Sequence, residues 1–257
     1  MADRPIIFSA PMIAALLAGR KTQTRRILKP QPPADARYAG VHYASYEPSS
    51  WFFNTDRGSY KVRERFEEGD RLWVRENHQF RGASYNDGTE GDPNWSEDEW
   101  FRVWGCGGPG DSWDPEFRNG WSPSMHMGVH DLVGPEHDEG PDVRGFATKV
   151  LPSIHMPRWA SRLTLLVTDV RVERLQDISE EDAVAEGLKP ETCAGQRMWD
   201  PGPPHGHFAH PQVAYRVIWE DIHGPGSWDA NPWIVAVTFS VHARNIDQLA
   251  PIAEVAA

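Results

Sequence analysis

The segment from residue 19 to residue 26, GRKTQTRR, brings cationic side chains and small hydroxyl groups together in one short stretch. Five of the ten residues from 20 to 29 are basic, although the whole chain has a formal net charge of -11. A local cationic excess in an acidic protein favours a confined anionic or electron-rich ligand over long nucleic acid bound through counterion release. The alternative is a solvated strand face whose cations pair with nearby carboxylates.

A carboxylate that needs a cation lies far along the chain, at Glu186. Residues 178–187 predict a helix in which Ser179 is the N-cap, acidic residues fill the first turn and Gly187 ends the helix. Glu186 is then at the C-terminal end, where the helix dipole disfavours a negative charge. The basic segment could supply the compensating cation, and a solvated helix-end glutamate is the alternative.

A tryptophan between two arginines marks a second candidate site. Residues 71–76, RLWVRE, alternate strictly and predict a strand with Leu72 and Val74 on one face. Trp73 and its flanking arginines then lie on the other face, where the indole could stack on a planar ligand or cover a neighbouring loop.

The residues around the basic segment predict the elements that position it. Residues 5–8 form an apolar run typical of a strand. A short helix should begin after Ser9 and end at Gly19, and residues 22–28 favour a strand that leaves this corner. Lys21 and Thr24 would both lie near the mouth of the turn.

Three further stretches predict regular structure, and three predict loops. Residues 162–175 carry the longest β-signal and predict a central strand that bends, as barrel strands do. Residues 213–222 predict a helix with Val217, Ile218 and Ile222 in the core, and residues 233–239 predict a final strand. Loops are expected at about 30–60, apart from a possible hairpin at 51–53, and in two long insertions at about 80–149 and 189–211.

Composition favours one decorated domain over residues 1–245, followed by a tail at 246–257. The 257 residues include 22 Gly, 22 Pro and 12 Trp, which indicates a core with long irregular loops. The pI of about 5.4 argues against membrane surfaces and non-specific duplex binding, and no secretory or transmembrane segment is visible. We therefore expect a cytoplasmic protein with no membrane partner.

The cysteines and histidines do not predict a metal site. Cys106 and Cys193 are far apart and have no CxxC partner. His205, His207 and His210 could chelate zinc, but no carboxylate or cysteine stands at a recognisable spacing, so a flexible loop is expected. The scattered histidines of the first insertion, at 126, 130 and 137, lack a standard spacing as well.

Four blocks, taken in order, resemble the ASCH family of the PUA-like superfamily, especially its phage and prophage members. They are residues 18–26 after a short helix, residues 69–76 (GDRLWVRE), the helix at 178–187 and the final strand. The resemblance covers the ordered framework and leaves both insertions unexplained. It implies an α+β fold: a small, mostly antiparallel PUA-like β-barrel with flanking short helices, two long loop insertions and a cleft beside the basic segment.

Within this family, the basic segment is similar to that of the small bacterial N4-acetylcytidine amidohydrolases, which use a lysine, a threonine and a glutamate. Lys21 and Thr24 match position by position, and Glu186 matches when the capped helices are aligned. The resemblance thus implies Lys21, Thr24 and Glu186 as catalytic residues without metal or cofactor, with Glu76 as an alternative acidic partner. Candidate substrate-binding residues are Arg20, Arg25, Arg26, Trp73, Arg75 and Glu76.

These side chains suit acyl transfer. The neighbouring arginines lower the pKa of Lys21, so a neutral amine could take a proton from Thr24 or from water. Glu186 could protonate the departing amine or orient the water, and arginines and backbone N–H groups could stabilise the oxyanion. The residues leave open whether Thr24 attacks or positions water.

Three function hypotheses follow. The first is an amidohydrolase that removes an acyl group from a modified pyrimidine nucleoside or base such as N4-acylcytidine. The second is a non-catalytic PUA-like module that binds single-stranded or modified RNA or DNA, with Trp73 and the arginines as stacking and hydrogen-bonding groups. The third, based on the insertions alone, is a phage accessory or structural protein.

Overall fold

A computed structural model describes residues 2–44, 47–63, 65–85, 100–105, 132–137, 143–148 and 151–249. Its helices are α1 (Ala10–Leu17), α2 (Glu180–Ala185) and α3 (Pro211–His223). Its strands, in chain order, are β1 (Asp3–Ile7), β2 (Gln23–Ile27), β3 (Arg37–Ala44), β4 (Glu47–Thr55), β5 (Gly58–Arg63), β6 (Arg71–Arg75), β7 (His78–Tyr85), β8 (Trp100–Gly105), β9 (Leu132–His137), β10 (Val143–Thr148), β11 (Thr164–Arg174), β12 (Lys189–Cys193), β13 (Gln196–Asp200) and β14 (Trp233–His242).

A five-stranded sheet with the order β1-β6-β11-β14-β2 forms the framework. Only β1 and β6 pair in parallel. The predicted central strand is confirmed as β11, which carries an irregularity between Val167 and Asp169 where its register with β14 shifts. Among the described strands β1 and β2 are edges of an open sheet, so the fold is mixed α+β and mostly antiparallel without a closed barrel.

Three smaller sheets lie where loops were predicted. Strands β3, β4 and β5 form a sheet between residues 37 and 63, because Trp51, Phe53 and Val62 bury apolar side chains against the main core. The first insertion contains the sheet β8-β7-β10-β9, and the rest of it, with His126 and His130, lies outside the described residues. The second insertion begins with the hairpin of β12 and β13. The prediction of irregular structure is wrong at these strands, although residues 51–53, where a hairpin was allowed for, do lie in β4, which forms a hairpin with β5.

Strand β14 separates two hydrophobic clusters. Its odd-numbered residues from Trp233 to Phe239 pack into the cluster with β1, β6 and the β3–β5 sheet, whereas Ile234 and Ala236 pack under α2 and α3. Because side chains alternate along a strand, one strand can separate two cores in this way. Because β2 pairs with β14, its two faces also lie on the sides of these two different clusters.

The buried face of α3 differs from the predicted one. Pro211, Ala214, Tyr215 and Trp219 are buried, whereas Ile222 is 49% exposed and Val217 and Ile218 are only partly buried. The aromatic pair four residues apart determines which stripe faces the sheet, because large rings bury more apolar area than aliphatic side chains.

The fold continues beyond the predicted boundary at residue 245. Ile246 is fully buried, and the amide of Asn245 donates to the backbone oxygens of Arg158, Trp159 and Ser161. Residues 246–249 therefore belong to the packed structure, and the predicted tail after 249 lies outside the described residues. None of the described helices combines the length and apolar character needed to cross a bilayer.

Candidate active site at the Lys21–Glu186 pair

The basic segment turns between α1 and β2, as predicted. Pro11 lies in the first turn of α1, and Gly19 has a φ of +67°, which allows the chain to reverse after the helix. The N–H of Lys21 donates to the carbonyl of Ala15, and the N–H of Thr22 donates to the carbonyl of Ala185. These backbone bonds hold the start of β2 against the C-terminus of α2.

Lys21 and Glu186 form a buried ion pair. The Nζ atom of Lys21 lies 2.7 Å from Oε2 of Glu186 and donates a second hydrogen bond, 2.9 Å long, to the backbone carbonyl of Glu186. Lys21 is 0% and Glu186 6% exposed. Burial has the largest effect on the pKa of Lys21 and lowers it. The charge of Glu186 raises this pKa, and the neighbouring charges of Arg26 and Arg25 lower it further. A lowered pKa is predicted for Lys21 from the neighbouring arginines, and the pKa is lowered, but desolvation is the main cause.

Helix α2 positions the Glu186 carboxylate. Ser179 caps the helix by accepting a hydrogen bond from the N–H of Asp182, as predicted, and Glu186 is the C-cap. Its second oxygen, Oε1, lies 3.3 Å from Nη1 of Arg25. Two cations therefore compensate the unfavourable charge at the helix C-terminus.

Tyr215 on α3 also interacts with the Glu186 carboxylate. Tyr215 is buried, and its pKa is raised well above the ordinary value, first by burial and then by the negative charge of Glu186. The Arg25 guanidinium lies 5.9 Å from the centre of its ring. Sequence reasoning missed Tyr215, although its spacing from Trp219 was a usable signal for the buried face of α3.

Gln23 and Arg25 face α2 and α3, because they pair with Thr238 and Ala236 of β14. Arg25 donates to Gln23, to Glu173 at 2.8 Å and to Asp182 at 3.0 Å, besides its contact with Glu186. Its charge is thus compensated by three carboxylates, and the surrounding network holds the helix against the sheet. Arg25 therefore positions the Glu186 carboxylate, and few of its N–H donors remain for a ligand.

Thr24 and Arg26 lie on the other face of β2, opposite Val237 and Val235. Thr24 is 2% exposed and makes no hydrogen bond to Lys21 or Glu186 in the described structure. The ring of Phe8 lies near both Lys21 and Arg26, because its centre is 5.7 Å from Nζ of Lys21 and 5.2 Å from Cζ of Arg26. The structure therefore brings Lys21 and Glu186 together, whereas Thr24 lies on the opposite face of β2 from Arg25, the other cation that contacts Glu186.

The remaining predicted binding residues divide between two places. Arg20 donates to the carbonyl of Gly187 at 2.6 Å and so lies next to the ion pair. Glu76 instead forms a two-pronged ion pair with Arg162, at 2.8 and 3.0 Å, and makes no contact with Lys21. Of the two acidic candidates, only Glu186 is the partner of Lys21.

Trp73 and Arg75 belong to β6, which is separated from β2 by two strands of the sheet. Trp73 is 6% exposed, and the Arg75 guanidinium lies 4.5 Å from its ring centre. Little of this indole is available to stack on a base. Among the described residues, Trp73 and Arg75 make no side-chain contact with the Lys21–Glu186 pair.

The second insertion carries a group that could hold a metal ion. Glu191, Asp200 and His207 place one ligand atom each within 4.8 Å of one another, although Lys189 is hydrogen bonded to Glu191. His205 instead contacts Asp221, and His210 is the N-cap of α3. The described structure therefore does not join the three histidines of this segment into one chelate.

No protein-family model matches the chain, and no curated protein or solved structure shows significant similarity to it. The resemblance to the ASCH family therefore stays a prediction from the four sequence blocks.

Proposed function

We propose that this protein is a metal-independent amidohydrolase that removes an acyl group from an N4-acylcytidine-like nucleoside or base. The observation that carries the proposal is the 2.7 Å contact between Lys21 and Glu186, which are 165 residues apart and both buried. We also propose that the chain is an ASCH-type member of the PUA-like superfamily, with the open five-stranded sheet as its barrel-like core.

Lys21 supplies the base in this proposal. Its Nζ atom donates two hydrogen bonds to Glu186, which use two of the three positions on the nitrogen that can hold hydrogen. The third position carries a lone pair when the amine is neutral, and burial favours the neutral form by lowering the pKa. A neutral Lys21 accepts the proton of the attacking hydroxyl.

The attacking oxygen belongs to Thr24 or to a water molecule beside it. It adds to the acyl carbon, and the proton that it loses passes to Lys21. The bond between the acyl carbon and the exocyclic nitrogen then breaks, and the proton returns through Lys21 or Glu186 to the leaving amine. If Thr24 attacks, a water molecule hydrolyses the acyl-threonine in a second step.

The test is turnover of N4-acetylcytidine and N4-acetyl-2'-deoxycytidine by the purified full chain, with cytidine or deoxycytidine and acetate measured by mass spectrometry. Lys21→Met, Thr24→Val and Glu186→Gln should each lower turnover by at least about 100-fold, the usual loss when a proton-transfer group is removed. The matched controls are Lys189→Met and Thr22→Val, which change exposed side chains and should keep wild-type turnover.

Circular dichroism and thermal unfolding must accompany the rates, so that a loss of activity is separated from a loss of structure. Turnover that persists in folded Lys21→Met and Glu186→Gln variants would refute the proposed catalytic set. Binding of cytidine-containing oligonucleotides without any product would indicate the reader function instead. Trapping of an acyl group on Thr24 distinguishes direct attack from water positioning.

A further inference from the structure

Three extended segments of the second insertion lie side by side. Strands β12 and β13 pair in antiparallel register, with Lys189 opposite Asp200. Trp199 of β13 directs both of its backbone groups to Phe208, since its N–H donates to the carbonyl of Phe208 at 2.8 Å and its carbonyl accepts from the N–H of Phe208 at 2.9 Å. The N–H and C=O of one strand residue point to the same side, so the segment at Phe208 lies on the edge of β13 away from β12.

This register places two carboxylates and an imidazole on one face. Opposite residues of an antiparallel pair share a face, so Lys189, Glu191 and Asp200 lie on the same face of the hairpin. The pairing of residue 199 with residue 208 places His207 beside Asp200 in the same way. One ligand atom each from Glu191, Asp200 and His207 lies within 4.8 Å of the other two.

Hydrogen bonds outside this group hold its members in place. Oδ1 of Asp200 accepts a hydrogen bond, 2.8 Å long, from the N–H of Gly202, which orients the carboxylate. Before His207, the Nε2 atom of His205 lies 2.6 Å from Oδ2 of Asp221 on α3, and after it Phe208 packs against the cluster under α2 and α3. A metal site requires this kind of support, because second-shell contacts orient the ligands.

The charges of this group are only partly compensated. Nζ of Lys189 lies 2.5 Å from Oε1 of Glu191. Asp200 forms no ion pair with any residue that the structure describes. One ammonium group therefore serves two carboxylates, and a divalent cation would compensate the remaining negative charge.

We infer that Glu191, Asp200 and His207 bind a divalent cation of the zinc type, which joins the three segments of the second insertion. Zn²⁺ accepts imidazole nitrogen and carboxylate oxygen at about 2.0–2.2 Å, so a tetrahedral ion holds its ligand atoms about 3.3–3.6 Å apart. Rotation of the side chains closes the 4.8 Å group to this size, and water takes the fourth position. The all-oxygen preference of Mg²⁺ and Ca²⁺ disfavours them here. This assignment does not rest on the proposed function.

The experiment is calorimetric titration of the full chain, stripped of metal with a chelator and dialysed, with Zn²⁺ and with Mg²⁺. The wild type should bind Zn²⁺ at least about 100-fold more tightly than Mg²⁺. Asp200→Asn and His207→Gln should each weaken Zn²⁺ binding by at least about 100-fold, because loss of a ligand costs more than loss of a second-shell partner. Zn²⁺ should also raise the unfolding temperature of the wild type more than that of either variant.

Lys189→Met should change the affinity in the opposite direction. This substitution frees an oxygen of Glu191 and removes a competing positive charge. The variant should therefore bind Zn²⁺ about two- to fivefold more tightly than the wild type, as expected from the strength of an exposed ion pair. Tighter binding cannot result from damage to the fold, so this variant tests the site independently of the two losses.

The matched control is His210→Gln, which makes the same change three residues after His207. His210 is the N-cap of α3, and its side chain makes no capping hydrogen bond. The control should keep the wild-type affinity, and circular dichroism shows whether each variant folds. Zn²⁺ binding that stays unchanged in folded Asp200→Asn and His207→Gln belongs to other histidines of the chain and overturns the inference, as does equal affinity of the wild type for Zn²⁺ and Mg²⁺.

Discussion

The backbone at Gly187 passes directly beside the side chain of Lys21. A β-carbon at position 187 would lie 3.1 Å from Cβ of Lys21 and 2.9 Å from Cβ of Ala15, and Gly187 has a φ of +106°. The glycine that ends α2 therefore does more than terminate a helix. It allows α1, the basic segment and Glu186 to approach one another closely.

Gly187→Ala should destabilise the protein and disturb the ion pair. We expect a loss of about 1–2 kcal/mol from the left-handed backbone and about 1–3 kcal/mol more from the overlap with Lys21 and Ala15. Urea unfolding followed by circular dichroism measures the change. The control is Gly195→Ala in the β12–β13 turn, where φ is +79° but a β-carbon would meet no atom within 4 Å. Equal losses in both variants would contradict the close packing at Gly187.

The Lys21–Glu186 pair should show strong coupling in a double-mutant cycle. Lys21→Met leaves a buried carboxylate with weaker compensation, and we expect it to cost about 3–5 kcal/mol of unfolding free energy. The double variant Lys21→Met/Glu186→Leu should be more stable than the single variant, because it removes both charges while Arg25 keeps Glu173 and Asp182. Costs that simply add would show that the two groups do not interact.

The contribution of Lys21 to stability should increase with pH. Its pKa in the folded protein is lowered from 10.5, so the unfolded chain binds more protons between the lowered pKa and 10.5. The difference in unfolding free energy between the wild type and Lys21→Met should therefore rise through this window and level off above pH 10.5.

Lys189 provides a control, because its contribution to stability should change with pH in the opposite direction. Its pKa is raised by its hydrogen bond to Glu191, so its contribution is present below pH 10.5 and is lost as the pH rises through the raised pKa. Unfolding curves of Lys21→Met and Lys189→Met at a series of alkaline pH values compare the two directions. A Lys21 contribution that falls over the same range would disprove the effect of burial.

Tyr215 should stay protonated in the folded protein at a pH where exposed tyrosines ionise. Burial and the charge of Glu186 both raise its pKa. Ultraviolet titration of native Tyr215→Phe should therefore match that of the wild type near pH 10, whereas the unfolded variant should lose one titrating group. A loss of native titration amplitude near pH 10 in the variant would show that the phenol is accessible.

Tyr215→Phe should also weaken the site without abolishing the fold. Loss of its hydroxyl should cost about 1–2 kcal/mol of unfolding free energy, because a buried polar interaction with a carboxylate disappears. Tyr60→Phe is the matched control, since the described structure gives the Tyr60 hydroxyl no hydrogen-bond partner and it should change stability by less than about 0.5 kcal/mol.

Much of the local structure around the site follows from short-range rules. Ser179 and Gly187 mark the ends of α2, and Gly19 ends α1, because a side-chain cap and positive φ angles act within a few residues. The central position of β11 also follows from a local feature, the high density of apolar residues along the strand. The strands within the predicted loops could not be predicted in the same way. Trp51 and Phe53 are buried only because they pack on the main core, and that packing is not evident from the neighbouring residues.

The sequence by itself determined the basic segment, its turn and a helix-end carboxylate that needs a cation. Only the tertiary structure decided that Lys21 pairs with Glu186 while Glu76 pairs with Arg162. It also decided that Arg25 contacts three carboxylates, whereas its neighbour Arg26 donates to the carbonyl of Ile7 and lies over the ring of Phe8. Helix ends and strand alternation depend on neighbouring residues, whereas the partner of a charge depends on which strands and helices pack side by side, and that is set by the whole core.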